Sequence, residues 1–159
     1  MNITIMVIGS LKEAYWREAE REYLKRLNPY CKVEVQEFPD YPAKEKDSPK
    51  ENELTKERES EKILAKLKPN DFVVLLDLNK KEYDSIAFSS LLSDWFRFGK
   101  SHIIFIIGGS LGLSESLRKR GNASISLSKM TFTHQMTRVL LLEQIYRAFK
   151  IANNEPYHK

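Results

Sequence analysis

Three glycines follow an apolar run in the second half of the chain. Residues 103–112 read Ile-Ile-Phe-Ile-Ile-Gly-Gly-Ser-Leu-Gly, so a strand of buried character passes directly into a turn with little side-chain bulk. Glycine allows the backbone to approach a ligand closely. Because open α/β sheets bind ligands at the carboxyl ends of their strands, this pattern predicts a nucleotide or nucleoside site at Gly108. The alternative is a tight strand-to-helix turn that binds nothing.

The spacing of these glycines differs from that of two common nucleotide sites. The pattern Gly-Gly-x-x-Gly is neither the dinucleotide fingerprint nor a phosphate loop, and the lysine and hydroxyl residue of a phosphate loop are missing. No acidic residue stands at the offset where an ordinary Rossmann enzyme binds a ribose. The sequence therefore disfavours a dinucleotide-binding enzyme.

Two further segments follow strand-like runs and could complete such a site. One mixes polar and apolar side chains, which suits an adenosine, because a purine needs apolar packing on its faces and hydrogen bonds at its edge. Its residues are Leu127, Ser128, Lys129, Met130, Thr131 and Phe132. A third loop, at Leu75 to Asn79, would close the pocket at the same sheet edge. The alternative for the first segment is an ordinary loop before a helix that Thr133 caps.

The last three residues, Tyr157, His158 and Lys159, combine an aromatic ring, a titratable imidazole and a cation. An ordered group of this kind can stack a base, handle a proton and contact a phosphate. Chain ends usually fray, so a disordered tail is the alternative.

The elements that would position these residues alternate along the chain. Strand-like runs occupy Ile3 to Ile8, Val33 to Phe38, Phe72 to Leu78, Ile103 to Ile107 and Ala123 to Leu127. Helical patterns occupy Glu13 to Leu27, Glu51 to Leu67, Ser85 to Phe96 and about Thr133 to Ala152. Strands separated by helices predict an α/β fold with a mostly parallel sheet flanked by helices. Residues 1–159 are expected to form one domain with a mobile, proline-rich surface loop at 39–52.

The last of these helices is apolar around most of its circumference. Residues 139–142, Val-Leu-Leu-Leu, turn through a full circle at about 100° per residue. One sheet covers only one side of such a helix, and a second copy of the chain would cover another side. Burial within the monomer is the alternative.

Composition narrows the class of protein. The net charge of +4 mildly favours encounter with polyanions such as RNA. Cys31 is the only cysteine, which excludes an intrachain disulfide and a cysteine-based metal cluster and fits a reducing cytoplasm. The apolar start of the chain is too short for a signal peptide, and no run approaches the length of a membrane span. We therefore expect neither export nor a membrane partner.

Four motifs together resemble one family closely. They are Phe105 to Gly109, Leu127 to Phe132 followed by His134 and Gln135, Arg138 with Glu143 to Ala148, and the closing Tyr157, His158 and Lys159. The chain is similar over its whole length to the bacterial large-subunit ribosomal RNA pseudouridine N-methyltransferases of the SPOUT class.

This resemblance implies an enzyme that uses S-adenosylmethionine to methylate N3 of a pseudouridine in large-subunit ribosomal RNA. It implies action on the assembled ribosome as a homodimer, no metal, and a C-terminal trefoil knot, which topology rules alone would not predict. By the same resemblance, S-adenosylmethionine lies against Leu76, Gly108 and the backbone of Leu127 to Phe132. The tail from Tyr157 to Lys159 approaches the target base. The proton of the target nitrogen leaves either to His158 or to solvent, with Lys159 or an arginine stabilising the anion.

Two positions depart from the family pattern. Asn79 stands where glycine is expected, and asparagine tolerates left-handed backbone better than most residues. Thr133 stands where proline is common, and we expect its side chain to cap the following helix.

A ribosome-associated binding protein without catalysis is the alternative from another functional class.

Overall fold

The computed structural model describes residues 1–159 as five strands and five helices that alternate along the chain. The strands are β1 (Asn2–Ile8), β2 (Lys32–Phe38), β3 (Phe72–Leu76), β4 (His102–Ile107) and β5 (Ala123–Ile125). The helices are α1 (Ala14–Leu27), α2 (Pro49–Lys66), α3 (Ser85–Arg97), α4 (Glu115–Arg120) and α5 (His134–Ala152). None of the helices combines the length and apolar content that crossing a bilayer requires.

The strands form one sheet in the order β2-β1-β4-β3-β5, and every neighbouring pair is parallel. Ile5 of β1 pairs with Val35 on one side and with Phe105 on the other. Parallel neighbours need crossover connections, and helices supply them here. The predicted α/β fold with a parallel sheet flanked by helices is therefore confirmed.

Both faces of the sheet are buried. The residues of β4 from Ile103 to Ile107 are all buried, as their uninterrupted apolar run predicts. Alternate side chains of this strand point to opposite faces. Phe105 joins the larger core beneath α1, α3 and α5, whereas Ile104 and Ile106 join the core beneath α2 and α4. Each face is thus closed by its own helical layer.

The predicted loop at 39–52 is too long by four residues, because α2 already begins at Pro49. The Ser48 side chain accepts from the Glu51 backbone N–H at 3.2 Å, and the Glu51 carboxylate accepts from the Ser48 N–H at 2.7 Å. This reciprocal pair is a capping box, and proline is favoured at the first helical position. The pattern Ser-Pro-Lys-Glu thus marks a helix start and not the end of a loop.

Two predicted strands are also shorter than expected, and one helix was not predicted. The strands β3 and β5 end at Leu76 and Ile125, two residues before the predicted ends at Leu78 and Leu127. After Leu76 the chain reverses at Asn79, whose φ of 59° lies in the left-handed region, as the asparagine predicts. The helix α4 has only six residues, too few for an amphipathic period to be recognised.

The segment that joins β5 to α5 crosses the carboxyl edge of the sheet. It leaves the edge strand β5, whereas α5 begins beside β1, with the His134 ring against Gly9. On the way, the Ser126 N–H donates to the Lys81 carbonyl at 3.0 Å. The segment is therefore hydrogen-bonded to the connection between β3 and α3 before it turns back across the sheet.

Candidate functional site

The three loops expected to form a ligand site follow three adjacent strands, β4, β3 and β5, and begin at the same edge of the sheet. Leu76 of β3 pairs with Ile107 on β4 and with Ile125 on β5. Gly108 directly follows the first of these partners, and Leu127 lies two residues beyond the second. Strand register therefore brings Leu76, Gly108 and the 127–132 segment to one carboxyl edge.

Gly108 is required by the way its turn folds back. A Cβ atom at this position would lie 2.8 Å from the carbonyl carbon and oxygen of Gly112, a distance that no side chain can occupy. The turn is closed by a hydrogen bond of 3.0 Å from the Gly112 N–H to the Gly109 carbonyl. Gly112 itself has a φ of +90°, which favours glycine. The glycine spacing thus has a structural cause that is independent of any ligand.

A cavity of about 550 Å³ opens between the start of α3, the segment after β5, α5 and the chain end. Its lining residues are Tyr83, Asp84, Ser85, Ile86, Phe88, Ile125, Ser126, Leu127, Ser128, Phe132, Leu140, Gln144 and His158. Of the residues singled out in the sequence, the lining contains Leu127, Ser128, Phe132 and His158. It does not contain Leu76, Gly108, Lys129, Met130, Thr131, Tyr157 and Lys159.

The 127–132 segment is shaped by its own polar groups. The Ser126 hydroxyl donates to the Ser128 carbonyl at 2.9 Å, and the Met130 N–H donates to the Ser128 hydroxyl at 3.0 Å. The Thr133 hydroxyl accepts from the Met136 N–H and caps α5, which confirms the predicted role of this threonine. The Met130 side chain projects outward and is exposed. Leu127, Ser128 and Phe132 of this segment therefore line the cavity, whereas Met130 lies outside it.

The C-terminal tail packs against its own helix α5. The Tyr157 hydroxyl donates to Glu143 at 3.1 Å, and the Arg147 guanidinium lies 4.6 Å from the centre of the Tyr157 ring. Arg147 also lies 3.2 Å from Nδ1 of His158, through Nη1. Burial, followed by the bond to Glu143, raises the pKa of Tyr157 to about 12, so its phenol stays protonated at neutral pH. The tail therefore has defined contacts that place His158 at the cavity.

A second anchor holds the chain just before the tail. Glu155 accepts from the Tyr30 hydroxyl and from the Lys150 ammonium, each at 2.7 Å. The adjacent Cys31 is buried immediately before β2. The chain end is thus fixed both to α5 and to the connection between α1 and β2.

Several residues near the cavity were not identified from the sequence as functional. Five residues at and just before the start of α3 line the cavity, as do Leu140 and Gln144 of α5: Tyr83, Asp84, Ser85, Ile86 and Phe88. The available signal for α3 was its place directly after β3, since connections after adjacent parallel strands meet at one edge. Glu143 and Arg147, which hold the tail, form an ion pair four residues apart on α5.

Asp77, in the loop that follows β3, forms an ion pair. Its carboxylate accepts from Arg118 of α4 at 2.9 and 3.3 Å, and Arg118 also contacts Glu115 at 3.1 Å. This contact ties the end of β3 to α4. It lies outside the cavity described above.

The same sheet edge carries a buried ionic cluster beside β1. Arg138 of α5 is 2% exposed and donates to both oxygens of Glu20 at 2.8 and 3.0 Å and to Glu37 at 2.7 Å. One turn earlier, the His134 ring packs where a Cβ of Gly9 would lie, at 2.8 Å from that position. Burial and the charge of Arg138 lower the pKa of His134. The cluster joins α1 and β2 to the start of α5.

Comparison with known proteins agrees with this arrangement. The family described as predicted SPOUT methyltransferase matches residues 1–158. The ribosomal RNA large subunit methyltransferase H of Clostridium acetobutylicum is 51% identical over 159 residues, which cover the whole of both chains.

Two solved structures share the fold at low sequence identity. A probable methylase family protein from Haemophilus influenzae has a TM-score of 0.55 at 13% identity, over 99% of this chain and 70% of that one. A putative methyltransferase from Legionella pneumophila, solved with bound S-adenosylmethionine, has a TM-score of 0.51 at 12% identity, over 94% and 66%. Because the family match and the 51% identical relative both extend over essentially all residues, the chain belongs to the SPOUT methyltransferase family.

Proposed function

We propose that this protein is an S-adenosylmethionine-dependent methyltransferase that modifies N3 of a pseudouridine in large-subunit ribosomal RNA. The observation that carries the proposal is the full-length, 51% identical relative, which is named as a large-subunit ribosomal RNA methyltransferase. The choice of pseudouridine and of its N3 atom rests on the motif set from Phe105 to Lys159. The experiment below addresses both parts.

The residues at the carboxyl edge fit the proposed cofactor. Leu127, Phe132 and Leu140 supply apolar walls, while Ser128 and the loop backbone supply hydrogen-bonding groups, as a nucleoside requires. The Gly108 turn lies at the next strand end, where only backbone is present to face a ligand. Leu76, Gly108 and residues 127–132 would hold the cofactor, which supplies a methyl group activated on a sulfonium.

The contact between Arg147 and His158 favours one role for the histidine. Arginine only donates hydrogen bonds, so Nδ1 of His158 accepts from Arg147. A neutral imidazole that accepts through Nδ1 carries its proton on Nε2 and donates from there. His158 is thus suited to donate to a uracil oxygen that becomes negative when the imide proton leaves to solvent. The alternative, in which His158 itself takes the proton, would require the Arg147 contact to change.

The test is mass spectrometry of ribosomal RNA from cells that lack this protein. We expect the loss of one N-methylated pseudouridine in the large-subunit RNA and its return when the purified protein and S-adenosylmethionine are added to ribosomes. Ribosomes and free large-subunit RNA are compared as substrates. An unchanged modification pattern, with no methyl transfer in the purified system, would refute the function.

Gly108→Val is expected to weaken S-adenosylmethionine binding by at least about tenfold, because the added side chain displaces the Gly112 backbone and reshapes the turn. Isothermal titration calorimetry measures the affinity. Gly99→Val is the matched control, since nothing lies within 4 Å of its Cβ position and it lies just after α3, outside the cavity. Gly99 has a φ of +92°, so valine there is strained and lowers stability. Thermal unfolding of both variants measures how much stability each of them loses. Equal affinities of wild type and Gly108→Val would place the cofactor elsewhere.

The proposal extends to a homodimer with a trefoil-knotted chain end that works on ribosomes in the cytoplasm. Tyr15 at the start of α1 and Met136 at the start of α5 are large, exposed apolar side chains on two helices that pack together, which supports a subunit contact there. The bond from Ser126 to Lys81 supports the knot, because it places the chain before α5 against the connection after β3. A buried free thiol at Cys31 suits a reducing compartment.

A further inference from the structure

A buried carboxylate lies beside the glycine turn and is not explained by the contacts described so far. Glu59 of α2 is 4% exposed. Its two carboxylate oxygens lie 3.3 and 3.4 Å from the position that a Cβ of Gly109 would occupy. Glu59 therefore contacts the backbone at the carboxyl end of β4, one residue after Gly108.

This carboxylate has too few partners for its burial. It accepts one hydrogen bond, from the Tyr41 N–H at 3.0 Å, and it forms no ion pair. An ionised carboxylate has about four acceptor sites, and burying its charge without a cation is unfavourable. Burial and the nearby Asp40 raise the pKa of Glu59, whereas the Tyr41 bond lowers it. A cationic donor would offset the cost of burying this carboxylate.

A second polar atom at the same edge is also without a partner. Nδ1 of His134 is buried and has no hydrogen bond, and its ring lies against Gly9. Gly9 lies two residues beyond the register pair of Val7 and Ile107, so it is next to Gly109 on the neighbouring strand. Two polar groups with unused bonding capacity therefore lie beside Gly9 and Gly109, which add no side-chain bulk of their own.

We infer that Glu59 binds the α-ammonium group of the cofactor's amino-acid part, next to Gly109. This inference rests on the proposed function, because it assigns the far end of the same cofactor. S-adenosylmethionine joins a nucleoside to a charged amino acid, and the apolar walls at Leu127 and Phe132 suit the nucleoside. The Gly108 turn lies between that cavity's strand end and the carboxylate. An ammonium donor there would satisfy Glu59 by a charge-assisted hydrogen bond.

The test compares three ligands by calorimetry: S-adenosylmethionine, S-adenosylhomocysteine and 5′-methylthioadenosine, which lacks the amino-acid part. Glu59→Gln should weaken the first two by about 10- to 100-fold and leave the third unchanged within about twofold. Glu57→Gln, on the same helix, is the matched control, because Glu57 only accepts from Ser116 of α4. Equal weakening of all three ligands, or of none, would overturn the assignment.

Two further measurements separate binding from structural support and from failure of the proposed function. The Glu59→Gln variant should unfold at the same temperature as wild type or higher, because the substitution removes a buried charge that has only one hydrogen-bond donor. A lower unfolding temperature, together with equally weakened binding of all three ligands, would indicate that Glu59 has a structural role instead. Wild-type protein should bind S-adenosylhomocysteine about 10- to 100-fold more tightly than its desamino analogue. Equal binding of those two ligands refutes the role of Glu59 alone, whereas wild type that binds none of the adenosyl ligands refutes the proposed function itself.

Discussion

Removal of Tyr157 to Lys159 is expected to abolish methylation of ribosomal RNA while S-adenosylmethionine still binds. The tail places His158 at the cavity, and a positioned proton donor or acceptor contributes about 100- to 10,000-fold to such a reaction. The loops expected to hold the cofactor do not include the tail. Methyl transfer to ribosomes measures the loss, and calorimetry measures the retained affinity.

Point variants divide the effect between the residues of the tail. His158→Leu should reproduce most of the loss, because leucine has no donor at the position of Nε2. Tyr157→Phe should lose less, since the ring still packs on Tyr146 at 4.9 Å between centres and only the bond to Glu143 disappears. His102→Leu is the control, since His102 is exposed at the amino end of β4, at the opposite edge. Full methylation by the truncated protein would remove the tail from the mechanism.

Arg138→Met should lower the free energy of unfolding by about 3–5 kcal/mol, the usual cost of leaving a buried charge without its partner. The substitution keeps an unbranched chain in place of the aliphatic part of arginine but leaves Glu20 without its two hydrogen bonds. Glu20 is 14% exposed at its side chain, so water restores little of the loss. Glu37 contributes less, because its side chain is 43% exposed. Urea denaturation measures the change.

The matched control for that substitution is Arg26→Met. Arg26 pairs with Glu22 at 2.9 Å on the surface of α1, and exposed pairs of this kind contribute about 1 kcal/mol or less. Adding Glu20→Gln to Arg138→Met should recover part of the stability, because it removes the stranded charge. Equal effects of the two arginine substitutions would show that the Arg138 cluster does not stabilise the fold.

Local patterns predicted the elements of this fold because short-range physics determines them. The apolar run of β4, the cap at Thr133 and the left-handed turn at Asn79 all follow from single residues or strict periods. The start of α2 was also encoded locally, by the box from Ser48 to Glu51, but the prolines before it favoured a loop interpretation.

Contacts between distant residues could not be predicted in the same way. Arg138 and Glu20 are separated by 118 positions, and their pairing depends on α5 returning beside α1 after crossing the sheet edge. The α3 part of the cavity depends on β3 lying between β4 and β5, an order that no residue pattern specifies. Glu59 was overlooked for a related reason: among many glutamates on a charged helix, nothing local distinguishes the one that faces Gly109.

Because Glu155 anchors the chain end to Tyr30, the thiol of the neighbouring Cys31 can report chemically on whether the chain end is attached. Cys31 follows Tyr30, whose hydroxyl bonds Glu155, so release of the tail loosens the residue next to the sulfur. Burial raises the pKa of Cys31 to about 11, so at neutral pH the folded protein presents almost no thiolate. An alkylating reagent can therefore react at an appreciable rate only while this corner is open. The rate at which the Cys31 sulfur is alkylated therefore reports how often the chain end detaches, and no probe has to be introduced.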